Sequence, residues 1–179
     1  LGCGVTTGVG VIFNDAKLKP GESISVFGCG GVGLNAVQAA SLLHGYPIIA
    51  VDRNTANLEM ALKLGATHII NSDSMDVVTE IMKITASKGT EFVIIAAGDP
   101  KIIETGVDAC SIPGSVFFVS VPPAGSKISV NPLDIHRQKR LLGSYGGGVV
   151  PDIDIPVYLG LYNKGCLKFR ELIGNTVSL

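Results

Sequence analysis

Ser23-Ile-Ser-Val-Phe-Gly-Cys-Gly-Gly-Val-Gly33 is the stretch on which the fold turns. It opens as a short run around Ile24, Val26 and Phe27, the composition of a strand buried on both faces. It ends in Gly28, Gly30, Gly31 and Gly33, residues that let a chain reverse tightly. Residues 31–43 then carry small and apolar side chains with no breaker, which predicts a helix opening at the glycine turn.

The same alternation continues outward from this unit. Apolar runs at 22–28, 47–52, 67–70, 92–96 and 115–121 predict strands. Between them, 54–64, 74–87 and 100–109 predict helices. The first starts at Asn54 or Thr55 and stops at Gly65, and the second starts at Ser72 or Asp73. Strand-helix-strand spacing of this kind, with right-handed crossovers, gives an α/β fold. Its centre is a doubly wound, mostly parallel sheet of the Rossmann dinucleotide-binding type. Past Pro122-Pro123 the pattern loosens: 127–130 and 139–145 read as short strands, and 151–164 as a helix closed by Gly165. The glycine-rich segment 3–16 reads as a helix packed on the sheet.

Gly28-Cys-Gly-Gly-Val-Gly33 matches G-x-G-x-x-G, and Asp52 follows 19 residues beyond Gly33, at the end of the next predicted strand. Each part has a physical role. Gly28 permits the turn, Gly30 lets the backbone approach a pyrophosphate, and Gly33 lets the helix pack on the strand. Gly31 and Val32 open the helix, whose free N–H groups and partial positive charge suit phosphate. Asp52 accepts hydrogen bonds from ribose hydroxyls and repels a 2′-phosphate, which selects NAD. Arg53, beside it, would instead favour a 2′-phosphate, so acceptance of NADP stays open. Two other classes share parts of this pattern: a noncatalytic NAD-binding or redox-sensing module, and a methyltransferase. Methyltransferase loops more often carry an acid just ahead of the glycines, where this chain has Ser25-Val-Phe27.

Charge excludes further classes. Fourteen Lys and Arg against 15 Asp and Glu give no basic excess for nucleic acid or an acidic membrane surface. The longest apolar runs, 47–51 and 92–97, fall far short of the ~20 residues of a membrane span. A charged fraction of 16% and a mean hydropathy of +0.44 exclude disorder and predict surface hidden against a partner. Cys3, Cys29, Cys110 and Cys166 form no CxxC pair, so reduced thiols and a cytoplasmic location are expected.

Several segments together resemble the cofactor-binding half of the medium-chain zinc-dependent alcohol dehydrogenases. They are Leu1-Gly-Cys-Gly-Val-Thr-Thr-Gly-Val-Gly10, Lys19-Pro-Gly-Glu-Ser-Ile-Ser-Val-Phe-Gly-Cys-Gly-Gly-Val-Gly33, Gly65-Ala-Thr-His-Ile-Ile-Asn71 and Val119-Ser-Val-Pro-Pro123. The resemblance implies one NAD-binding domain over 1–179, excised from a longer chain whose catalytic domain is absent. In the intact enzyme it implies hydride transfer between an alcohol and NAD, with zinc polarising the alcohol oxygen. Cys3 then falls on a zinc-ligand cysteine and Thr7 on a threonine near the nicotinamide. Val119 and Val121 fall where backbone meets the nicotinamide end, with Ser144 and Tyr145 as neighbours. The resemblance also implies a homodimer formed through the cofactor domains, and a fragment that is inactive alone, since catalytic zinc takes three protein ligands.

The other chemistry-bearing residues read as structural. Cys29, Cys110 and Cys166 have no partners in sequence and read as packing residues. His44 closes a helix, His68 sits at a strand edge, and His136 lies in the basic run 136–140, read as a solvated face.

Overall fold

β1 (Ile24–Phe27) is central because both its faces are apolar. Val26 joins a core layer with Ile48, Ala50, Ile94 and Phe117, while Phe27 points into the opposite layer with Ile49, Val51, Val93 and Ile95. Side chains alternate along a strand, so a continuous apolar run feeds two cores at once. In the computed structural model, which describes residues 2–173, six strands build one parallel sheet in the order β3-β2-β1-β4-β5-β6. The others are β2 (Ile48–Asp52), β3 (His68–Asn71), β4 (Thr90–Ile95), β5 (Cys110–Phe118) and β6 (Arg140–Gly143). This is the strand order of a doubly wound dinucleotide-binding sheet, as the sequence predicted.

Helices cover both faces. α1 (Gly2–Gly10), α2 (Gly31–Leu42), α3 (Thr55–Lys63) and the later α7 (Pro151–Asn163) supply residues to the first core layer. α4 (Val77–Ile84) and α5 (Pro100–Ala109) supply Val77, Ile81, Ile103 and Val107 to the second. α2 lies between the sheet and α1, so its residues 33–40 are all buried; the two polar ones, Asn35 and Gln38, are hydrogen-bonded to each other. The predicted helix over 3–16 is α1 continued by a π-helical turn, Val11–Ala16, which Lys17 ends in the left-handed region at φ 51°.

Four local expectations are corrected. α4 begins at Val77, capped by Asp76, and not at Ser72 or Asp73. Asn71 Oδ1 accepts the Asp73 N–H at 2.9 Å, and that turn delays the helix. Residues 127–130 form no strand; Ile128 and Val130 pack on the second core layer, and Ser129 N–H donates to Glu104 Oε1 at 2.7 Å. A short helix α6 (Pro132–His136), capped by Asn131, stands where none was predicted. The basic run is also not wholly solvated: Lys139 is buried, donating to Val107 O at 2.7 Å and Asp134 Oδ2 at 3.0 Å. No helix among the described residues is long and apolar enough to cross a membrane.

Candidate functional site

The strand order reverses direction between β1 and β4: one connection leads outward to β2 and β3, the other to β5 and β6. Ligands of open α/β sheets bind in the crevice at that point, beyond the carboxyl ends of the strands. A cavity of about 930 Å³ lies there, lined by Gly28, Asp52, Arg53, Asp76, Gly98 and Ile102 among others.

The glycine loop is fastened to the end of β2. Gly28, at φ 91°, donates its N–H to Val51 O at 2.8 Å, and the Cys29 N–H donates to Asp52 Oδ2 at 2.6 Å. Gly30 then starts α2 with no side chain capping it. The first N–H groups of a helix lack partners within it, so this end presents donors and the positive end of the helix dipole. A Cβ at Gly33 would collide with the Gly28 carbonyl oxygen, which is why strand and helix can meet so closely here. A Cβ at Gly30 or Gly31 would meet nothing within 4 Å. The space before the helix is therefore open: Gly30 and Gly31 are exposed, and a side chain on either would occupy it.

Asp52 holds more than the loop. Its Oδ1 accepts the Asn54 N–H at 2.8 Å, and Asn57 Nδ2 lies 3.3 Å from its Oδ2. The carboxylate is thus fixed at the cavity mouth with acceptor capacity left for a vicinal diol. Arg53 is exposed beside it. Asn57 was not foreseen from sequence; its signal was its place one turn into the helix after the acidic residue. Cys29 is a packing residue: burial, reinforced by the Asp52 charge, pushes its thiol up to about 12.

The second set of expected residues surrounds the ends of β5 and β6. Val119 and Ser120 donate their N–H groups to Ile95 O at 3.1 and 3.2 Å, and Ser120 Oγ donates to Ala97 O at 2.7 Å. Val121 is almost fully exposed, and its carbonyl oxygen would lie 3.2 Å from a Cβ on Gly98. Ser144 is buried, with its hydroxyl donated to Asp15 Oδ2 at 2.6 Å, while Tyr145 projects into solvent. On α1, Cys3 is exposed and Thr7 buried, one helical turn apart, with Sγ and Oγ1 3.8 Å from each other. Among the described residues no group of three His, Cys, Asp or Glu side chains could hold a metal ion. Cys3 offers a single donor. Of the expected residues, Gly28, Asp52 and Arg53 line one cavity; Gly30, Gly31, Val32 and Gly33 stand at the start of α2 outside its lining, as do Cys3, Thr7, Val119, Val121 and Ser144. Of the other cysteines, Cys110 is buried as expected, its thiol pushed up to about 12 by burial, whereas Cys166 is exposed and is not a core residue.

Comparison with known proteins bears on this geometry. The family model described as zinc-binding dehydrogenase matches residues 31–161. The alcohol dehydrogenase class-3 of Cereibacter sphaeroides is 32% identical over 187 residues, spanning 100% of this chain and 50% of that protein. The S-(hydroxymethyl)glutathione dehydrogenase of Paracoccus denitrificans is 33% identical over 186 residues, with the same shares. Among solved structures, benzyl alcohol dehydrogenase from Acinetobacter calcoaceticus superposes with a TM-score of 0.92 at 38% identity. That match covers 96% of this chain and 47% of the other. The chain therefore spans about half the length of the relatives it matches.

Proposed function

The chain belongs to the zinc-binding dehydrogenase family, and from that premise we propose that it is the part of an alcohol dehydrogenase that binds NAD and orients its nicotinamide. One observation carries the reading: an uncapped helix N-terminus before an open glycine floor, with Asp52 fixed beside it. In this reading Gly28, Gly30, Gly31, Val32 and Gly33 form the pyrophosphate cradle. Asp52 receives the adenosine ribose hydroxyls, and Arg53 flanks them. The second half of a doubly wound sheet takes the second nucleotide, which puts the nicotinamide over the ends of β4, β5 and β6. Val119 and Val121 then meet it through backbone groups, with Thr7 and Ser144 close by.

NAD, when bound, supplies the ring carbon that takes hydride from the alcohol. The residues of this chain hold that ring in place, and orientation of this kind accounts for much of such a reaction's rate. Cys3 contributes one zinc ligand, and the remaining ligands come from elsewhere in a longer chain that carries the catalytic domain. The alternatives are less well supported. Relatives across the full length of the chain are named dehydrogenases, which argues against a noncatalytic sensor. The strand order is that of dinucleotide binding, which argues against a methyltransferase. Residues 1–179 act as one domain in this reading, in a homodimer, and the four free thiols suit a reducing, cytoplasmic setting.

The test is Gly30→Val. Gly30 has φ −82° and open space where a side chain would go, so valine fits the fold but occupies the phosphate position. Calorimetric titration with NADH should show binding lost, while circular dichroism keeps the wild-type melting profile. Near-normal affinity in this variant removes the cradle, and with it the proposal.

A further inference from the structure

The π-helical turn Val11–Ala16 is the feature that the proposed function leaves unexplained. Extra-residue turns of this kind are uncommon in helices and often stand where a side chain must be re-aimed. Here two consecutive side chains, Asn14 and Asp15, both reach across to the segment that follows β6, over 129 residues or more of sequence. Asn14 Nδ2 donates to the carbonyl oxygens of Gly147 and Gly148, each at 3.3 Å. Asp15 Oδ2 accepts the Ser144 hydroxyl at 2.6 Å. The Ser144 N–H donates to Phe118 O at 2.9 Å, so this residue is tied to the end of β5 as well.

The segment so gripped has an unusual backbone. Gly146, Gly147 and Gly148 follow one another in the left-handed region, at φ 64°, 75° and 60°. A Cβ at Gly147 would lie 2.6 Å from Thr7 O and 2.9 Å from Val11 N. Its carbonyl oxygen in turn sits where a Cβ on Gly10 would go. Backbone is therefore pressed against backbone, and α1 is locked to the end of β6 at the level of Thr7. The one O–H of Ser144 is donated to Asp15, so towards a ligand this hydroxyl can only accept.

The geometry points to Asn14 and Asp15 as positioning residues for the nicotinamide half of the site. They act through Ser144 and the glycine segment, and set the distance between the end of β6 and the face of α1 that carries Cys3 and Thr7. This inference rests on the proposed function, because it needs a nicotinamide over the ends of β5 and β6. It requires no contact between either residue and the cofactor. The adenosine half, held by Asp52 and the glycine loop on the other side of β1, is indifferent to it.

That asymmetry supplies the test. The chain is titrated with NADH and with ADP-ribose, which lacks only the nicotinamide. The wild type should bind NADH more tightly than ADP-ribose. Asp15→Ala and Ser144→Ala should each weaken NADH by about tenfold, the scale of one hydrogen bond to a charged group, with ADP-ribose within about twofold of wild type. Asp15→Asn, which keeps an acceptor for Ser144, should restore most of the NADH affinity. NADH emission should move toward its free-solution spectrum in the alanine variants alone. Equal weakening of both ligands would make Asp15 merely structural and overturn the inference, as would unchanged NADH binding. A wild type that binds ADP-ribose and NADH equally also ends it, while leaving the adenosine site standing. A wild type that binds neither removes the cofactor reading itself.

Discussion

Asp52 shows how one carboxylate can serve loop and ligand together. It accepts N–H groups from Cys29 and Asn54 and faces Asn57, so its orientation is set before any ligand arrives. Removing it therefore does two things: it releases the glycine loop and deletes the ribose acceptor. Asp52→Gly should weaken NADH by about 1.5–3 kcal/mol, the range of hydrogen bonds to a charged group. It should also narrow the preference for NADH over NADPH, since the repulsion of a 2′-phosphate disappears while Arg53 remains. Fluorescence titration of both cofactors separates the two effects. If affinity falls equally for both, the carboxylate works only through the loop and does not read the ribose. At this scale the sequence was most informative where chemistry and spacing coincide, as in Gly28, Gly30, Gly33 and Asp52. It was silent on Asn14 and Asp15, because nothing local marks a side chain whose partner lies more than a hundred residues away.

Secondary-structure elements were legible in proportion to how much of their environment is apolar. β1, β2 and α5 lie within a residue or two of the predicted spans, since continuous burial writes itself into continuous apolar runs. The start of α4 was misplaced because four polar residues, Asn71 through Ser74, offered competing caps, and the Asn71 turn used them first. α6 was missed because none of its side chains is buried, so no periodicity announces it. The packing of α1 on α2 was likewise hidden in composition alone. A Cβ on Gly8 would meet Asn35 Cβ at 2.6 Å and Ala36 N at 3.1 Å, besides the Val32 carbonyl oxygen. Both helix backbones bound this contact, and neither yields without moving the whole element. Gly8→Ala should therefore cost about 1–3 kcal/mol of overpacking. For a chain of this length that is a fall in Tm of roughly 2–12 °C by calorimetry. Gly160→Ala in α7, where a Cβ meets nothing within 4 Å, is the control and should raise stability slightly, by about 0.4–1 kcal/mol. Equal melting of both variants would mean that α1 moves freely against α2.

On the scale of the molecule, the sheet ends in two outer strands, β3 and β6, and the second carries Leu141 and Leu142. β6 is paired on one side only, and Leu142 on it is 36% exposed. An uncovered edge strand with apolar side chains is a template for another strand. Two copies related by a two-fold axis would pair such edges antiparallel, turning two six-stranded sheets into one in an interface that closes on itself. The hydrogen bonds say which residues face outward. Ser144 directs its N–H to Phe118 O on β5, so Leu142 also faces β5, and Leu141 and Gly143 direct theirs to the open side. Proline at an outward position removes a donor from the second copy and none from β5. Gly143→Pro is the better choice of the two, because a side chain there meets nothing within 4 Å, whereas Leu141 packs on the second core layer. Light scattering should find the wild type dimeric and Gly143→Pro monomeric, with the same circular dichroism spectrum. A monodisperse wild-type monomer would discard the dimer, and a proline variant that stays dimeric would move the interface to another face.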